Sequence, residues 1–232
     1  MLDPGHDDAG LGHTGAVNGT TPTPGQFGSA LSFNGSSDYV DVANATDLNP
    51  TSAITITAWF KADSFALGTY SWPHIVDKSS NDPSGYYMLI AQVFQNNPCA
   101  SFAVEPVGGV PSGVGTPRLE INTWYFAAGV YDGSTSTVKV YVGTSELSPL
   151  VVTSENGSGN MIPSSNNLNI GRDASYPSST ERYFGGAIDE VRIFDRAITS
   201  DEVTNLYLYN TPEPATLMLL TLGGLFLRKR KA

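Results

Sequence analysis

The sequence predicts an all-β sandwich or barrel, and three observations carry that expectation. The 232 residues include 24 glycines and 15 prolines, and only 15% are charged. A chain of many short strands and turns needs that composition. The apolar runs are short and alternate with period two, as half-buried strands do. A helical pattern with a capped start and one apolar face appears only near the end, at "TSDEVTNLY" (199–207).

Taken in order, "ALSFNG" (30–35) and "DYVDV" (38–42) read as a short pair around Asn34-Gly35, a turn signal. In "ITITAWF" (54–60), Ile54, Ile56, Ala58 and Phe60 share one face. "WYFAAGVY" (124–131) puts Trp124, Phe126, Ala128 and Val130 on one face. In "TVKVYV" (137–142), Val138, Val140 and Val142 point in while Lys139 and Tyr141 point out. "YDGSTSTV" joins these last two as a hairpin through Asp132-Gly133. "GYYMLIAQVF" (85–94), "CASFAV" (99–104), "NLNIG" (167–171) and "GAIDEVRIF" (186–194) complete the strands. Segments 64–85 and 106–119 read as long loops, where function tends to sit. In the helix, Thr199 and Glu202 form a capping box. Val203, Leu206 and Tyr207 then share a face at i, i+3 and i+4.

The net charge is -10, and it is more negative still without the basic C-terminal cluster. No basic surface can be read from this, so no nucleic-acid partner is expected. Cys99 is the only cysteine, which leaves no internal disulfide and reads as a small buried apolar residue.

The chain ends in "TPEPATLMLLTLGGLFLRKRKA" (211–232). Residues 215–227 carry no charge and would span about 20 Å as a helix, against a hydrocarbon core of about 30 Å. That is short for a stable anchor and suits the apolar part of a signal. Arg228, Lys229, Arg230 and Lys231 follow at once, and a cationic stop stays cytoplasmic, so the preceding chain lies outside. The start "MLDPGHDDAG" has neither a basic n-region nor an apolar h-region. The expectation, with the C-terminal segment pointing to export, is therefore that the true N-terminus lies upstream of Met1.

Pro212-Glu213-Pro214, the apolar segment with Gly223-Gly224 and the terminal basic cluster together resemble a PEP-CTERM sorting tail. The resemblance implies recognition by an exosortase-type membrane protease of Gram-negative bacteria and cleavage near Pro212–Pro214. The domain would pass from an inner-membrane intermediate to the cell surface or an extracellular polysaccharide matrix. Residues 1–209, with "GSALSFNGSSDYVDV", "ITITAWFKAD", "NTWYFAAGVYDGSTSTVKVYVG", "LNIGRD" and "YFGGAIDEVRIFDRAITSDEVTNLY" in that order, resemble the laminin-G-like, concanavalin A-like domain. That resemblance implies a jelly roll of two antiparallel sheets with six or seven strands each, followed by the sorting tail at 210–232.

Some relatives of this fold hydrolyse glycans, which requires two carboxyls facing each other across the bond. The nearest stretch, Asp189-Glu190, puts adjacent strand residues on opposite faces, so no catalytic pair is expected. His6, His13 and His74 have no zinc-ligand spacing, and His74 in "SWPHIV" reads as a loop or edge residue. On an unbroken strand Asp189 shares a face with Val191 and Ile193, so its carboxylate needs a partner. Calcium gathered by Asp189, Asp8 and Asn34 is one reading, and the resemblance favours calcium. Backbone N–H donors or an arginine are the other. Glu190 and Arg192 suit a surface ion pair. Trp72, Tyr86 and Tyr87, with Tyr70 nearby, are the candidates for stacking on a sugar. Tyr176 and Tyr183 flank a second loop with Arg172 and Arg182. The plainer reading is that these rings pack loops and sheets. The function expected is a non-catalytic exported module that binds glycan or protein. The alternatives are a structural matrix protein and, less favoured, a glycoside hydrolase or lyase.

Overall fold

The computed structural model describes residues 12–65, 72–80, 84–92, 98–105, 114–115, 118–144, 150–156, 159–173, 175–176 and 178–209. Asp8 and Tyr70 lie outside the described residues. So do the expected membrane segment 215–227 and the sorting residues Pro212, Glu213, Pro214, Arg228, Lys229, Arg230 and Lys231. Among the described residues no helix is long and apolar enough to cross a membrane.

Two compact units are present, Met1–Ala197 and Ile198–Ala232. The first is a two-sheet sandwich built from β1 (Ala16–Asn18), β2 (Thr21–Pro24), β3 (Ser29–Asn34), β4 (Tyr39–Val42), β5 (Ala53–Ala62), β6 (His74–Asp77), β7 (Tyr86–Gln92), β8 (Pro98–Val104), β9 (Val114–Gly115), β10 (Tyr125–Asp132), β11 (Thr137–Thr144), β12 (Val151–Asn156), β13 (Leu168–Ile170) and β14 (Gly185–Phe194). The first sheet runs β1-β4-β13-β6-β7-β8-β9 and the second β12-β11-β10-β5-β14-β3-β2. Every described pairing is antiparallel. The expected jelly-roll sandwich is therefore present, with seven strands in each sheet.

Alternation builds the core. Ile54, Ile56, Ala58 and Phe60 of β5 and Val138, Val140 and Val142 of β11 face Val40, Val42, Met88 and Phe102 of the first sheet. Phe102 sits over Gly129 so closely that a Cβ there would lie 2.1 Å from its ring. Gly129 is thus a notch in one sheet that receives a ring from the other.

β10 differs from expectation. Its core residues are Tyr125, Ala127 and Tyr131, while Phe126 pairs with Trp59 on the other face of the sheet. Seven consecutive residues of this strand are buried. A strand that is apolar on both faces gives no alternation from which to choose the inward one. Phe126 and Phe27 pack on Trp59 with ring centroids 5.6 and 5.9 Å away.

β3 and β4 belong to different sheets, so Asn34-Gly35 is a corner rather than a hairpin turn. The Asn34 side-chain oxygen accepts the N–H groups of Ser36, Ser37 and Asp38, and Asp38 accepts the N–H of Asn34. These local bonds turn the chain without a strand partner. The Asp132–Thr137 hairpin is as expected, although the left-handed residue is Ser136 (φ 54°) rather than Gly133.

β14 carries a bulge. Asp189 pairs with Trp59 and Arg192 with Thr57, so two residues oppose one, and Glu190 adopts φ 52°. The extra residue reverses the face of everything before it. Asp189 therefore lies on the Trp59 side and not with Val191 and Ile193, which pack on the core.

The described part of the second unit is α1 (Ser200–Tyr209), whose buried residues are Val203, Leu206 and Tyr207. Its capping box is formed. Thr199 donates its N–H to Glu202 at 2.7 Å, and the Glu202 N–H reaches the Thr199 hydroxyl at 3.2 Å.

Candidate functional site

The outward face of the first sheet carries a polar row. Registers align Asp41 with Asn169, Asn169 with Asp77, Asp77 with Tyr87 and Tyr87 with Ala103 across five strands. Their sequence neighbours Val40, Val42, Leu168, Val76, Tyr86 and Met88 point the other way, into the core. Asn169 and Asp77 are fully buried despite facing outward, because the chain after β13 folds over them.

That chain is pinned at its base. Gly171 donates to Ile75, Phe184 donates to Gly171, and Arg172 and Tyr183 form an isolated bridge. Within the loop, hydrogen bonds from Tyr176 to Asp173, Ser179 to Tyr176 and Arg182 to Ser179 make successive tight turns. Arg172 lies over the Tyr39 ring at 3.4 Å and donates to Asn169 at 2.8 Å. Trp72 donates its backbone N–H to Glu181, which fixes it beside this loop.

Two features result. The first is a ladder of side chains at the loop tip. The Arg182 guanidinium lies 4.6 Å from the Trp72 ring and 4.6 Å from the Tyr176 ring, so the rings are at most twice that distance apart. Arg182 also reaches Asp173 at 3.2 Å. Tyr176 is 49% exposed and Trp72 is partly exposed.

The second feature lies beneath. His74, Asp77 and Asp173 are all buried. His74 Nδ1 is 2.8 Å from Asp77, which also accepts from the Ser79 hydroxyl at 2.8 Å. His74 Nε2 is 3.8 Å from Asp173. Tyr87 covers the imidazole with a centroid separation of 5.5 Å. Burial raises the Asp173 carboxyl above its ordinary range, and His74 and Arg182 pull it partly back. The Tyr87 phenol is pushed up to about 12 by burial and by the carboxylates of Glu105, Asp77 and Asp173.

The sequence candidates divide accordingly. Trp72 and Tyr87 belong to this face. Tyr86 does not: it is a core residue whose hydroxyl donates to Leu48 at 3.1 Å, and it offers no surface to a ligand. Tyr183 is buried, whereas Tyr176 and Arg182 join Trp72. His74 is a buried residue of a central strand, not of a loop, because "HIVD" is too short to stand out between polar flanks.

Asp189 accepts the N–H of Phe27 at 3.0 Å and further backbone donors from Gln26 and Glu190. Its carboxyl stands so close to Gly25 that a Cβ there would lie 2.4 Å away. Asn34 is about four residues further along the neighbouring strand, roughly 13 Å away at strand rise. Asp189 and the Asn34 amide oxygen each accept backbone N–H groups, and at that separation the two do not meet around one ion. The Glu190–Arg192 ion pair is formed at 2.7 Å.

These features define a two-sheet jelly roll with a loop-capped polar face. The chain belongs to the concanavalin A-like lectin/glucanases superfamily, whose family model matches residues 34–204. A PEP-CTERM protein-sorting motif matches residues 210–231, which marks the chain for export and surface or extracellular targeting through an exosortase-type system. Comparison with the curated proteins finds no match. Among solved structures, a heptameric SAP-like pentraxin from Limulus polyphemus is similar at 14% identity and a TM-score of 0.58, over 80% of this chain and 84% of that one. A putative carbohydrate binding protein from Bacteroides ovatus is similar at 22% identity and 0.54, over 77% of this chain and 45% of that one. The Ruminococcus gnavus IT-sialidase CBM40 bound to alpha2,3 sialyllactose is similar at 11% identity and 0.58, over 77% and 96%. At these identities the likeness is one of fold.

Proposed function

We propose that this protein is a non-catalytic, surface-delivered binding module whose ligand is a glycan held at the Trp72–Arg182–Tyr176 tip of the first sheet. The observation that carries this reading is the Arg182 guanidinium framed by two rings at 4.6 Å each. A guanidinium is a rigid fork of five donors, and Asp173 is the one acceptor it meets among the described residues. The remaining donors suit sugar hydroxyls or a sugar carboxylate, and the rings supply apolar surface for a pyranose face. Two of the proteins of similar fold, the putative carbohydrate binding protein and the CBM40 bound to sialyllactose, are associated with sugars, which supports the class of ligand. In this reading the tail holds the chain at the inner membrane of a Gram-negative bacterium until an exosortase-type protease cleaves near Pro212–Pro214. The domain then acts at the surface or in the polysaccharide matrix.

A glycan array probed with the full chain and with Trp72→Ala and Arg182→Met tests this. The wild type binds a defined subset of glycans, unaltered in mass after incubation, and each variant loses at least tenfold in signal. Equal binding by all three forms removes the tip from the site. Cleavage of the bound glycan would establish a hydrolase or lyase instead, and an array without signal would favour a structural matrix role.

A further inference from the structure

The His74–Asp77–Asp173 cluster lies beneath the ligand tip, joined to it through Arg182 and Asp173, and calls for its own account. His74 is 3% exposed, and its Nε2 has no hydrogen-bond partner among the described residues. Leaving such an atom buried and unpaired carries its desolvation cost with no bond to offset it. With Asp77 2.8 Å from Nδ1, the neutral ring that donates Nδ1–H to Asp77 turns its Nε2 lone pair toward Asp173, 3.8 Å away. A carboxylate behind an imidazole is the usual support of a metal-binding histidine. One donor atom from each of the three residues can be chosen so that all lie within 4.8 Å of one another.

We propose that His74 Nε2 and the Asp173 carboxylate are ligands of one divalent transition-metal ion of the zinc class, with Asp77 orienting the imidazole from behind. The geometry supports a single ion. The 3.8 Å between Nε2 and the Asp173 oxygen is a span that two bonds of about 2.0–2.2 Å can bridge. The donor set, imidazole plus carboxylate, suits zinc rather than calcium or magnesium, which take oxygen ligands. The charges facing the position are Asp77, Asp173 and Arg182, the last at 3.2 Å from the same Asp173 oxygen. Arg182 offsets one carboxylate and keeps the affinity moderate. Water completes the coordination.

The test titrates Zn2+ and Co2+ into the purified, untagged full chain. One equivalent of Co2+ gives visible d–d absorption that Zn2+ displaces, and Zn2+ shifts the His74 Nε2 resonance in 15N spectra. His74→Gln abolishes the Co2+ bands, while His13→Gln, at the pair with Asp47 outside the cluster, preserves them. The 15N measurement on the wild type needs no variant to fold. An unmoved His74 Nε2 resonance, or Co2+ bands that survive in folded His74→Gln, would overturn the site. An imidazolium held between two carboxylates would give that unmoved resonance. Retained glycan binding in the zinc-free protein separates this result from the reading of the tip.

Discussion

Lys78 shows how a single residue can be costly and still fixed. It is fully buried, and its ammonium donates to Asn44, Ser164 and Asn166 at 2.7–2.8 Å with no carboxylate partner among them. Burial lowers its pKa to about 8. The unfolded chain holds that proton up to about 10.4. Between these values the unfolded state binds more protons, so this group makes stability rise with pH. Wild type measured against Lys78→Met by denaturant unfolding should therefore gain stability from pH 7.5 to 9.5. A pH-independent difference would contradict the assignment. Asp189 is a second buried charge, and its fate was only half readable from sequence. That it needs partners followed from its place in an apolar strand. That the partners are backbone N–H groups depends on the β2–β3 turn, which its own segment does not encode.

At the scale of elements, the strands with clean alternation, β5 and β11, could be read directly, and so could α1 with its cap. Three others could not, for different reasons. β10 is buried on both faces. β14 contains a bulge, and one inserted residue reverses the facing of Asp189. β6 is four residues long and hides in a segment rich in Pro and Ser, so from sequence His74 reads as a loop or edge residue. The sheets meet through Gly129 and Phe102. A methyl at Gly129 would stand 2.1 Å from the Phe102 ring, so the two strands must shift. Gly129→Ala should cost about 1–3 kcal/mol of overpacking. Phe102→Leu in the same chain should recover part of it, since the two sites touch. Additive effects in the double variant would mean that the notch is not where the sheets interlock.

For the whole molecule, sequence order settled the architecture better than any single motif did. The jelly roll and the sorting tail both rest on several short segments in a fixed succession. The candidate site does not, because Trp72 and the loop that carries Asp173, Tyr176 and Arg182 are far apart in sequence and meet only when the chain after β13 folds back beside β6. The clustering of aromatics along the sequence points to Tyr86, which the core absorbs. Binding at the tip is the central claim. Its most direct test is a 15N titration of the full chain with the strongest array glycan. The account predicts shifts at the Arg182 side chain, the Trp72 indole and the backbone of residues 175–183. Shifts confined to the opposite sheet around Trp59 and Phe126, with Arg182 unmoved, would contradict it.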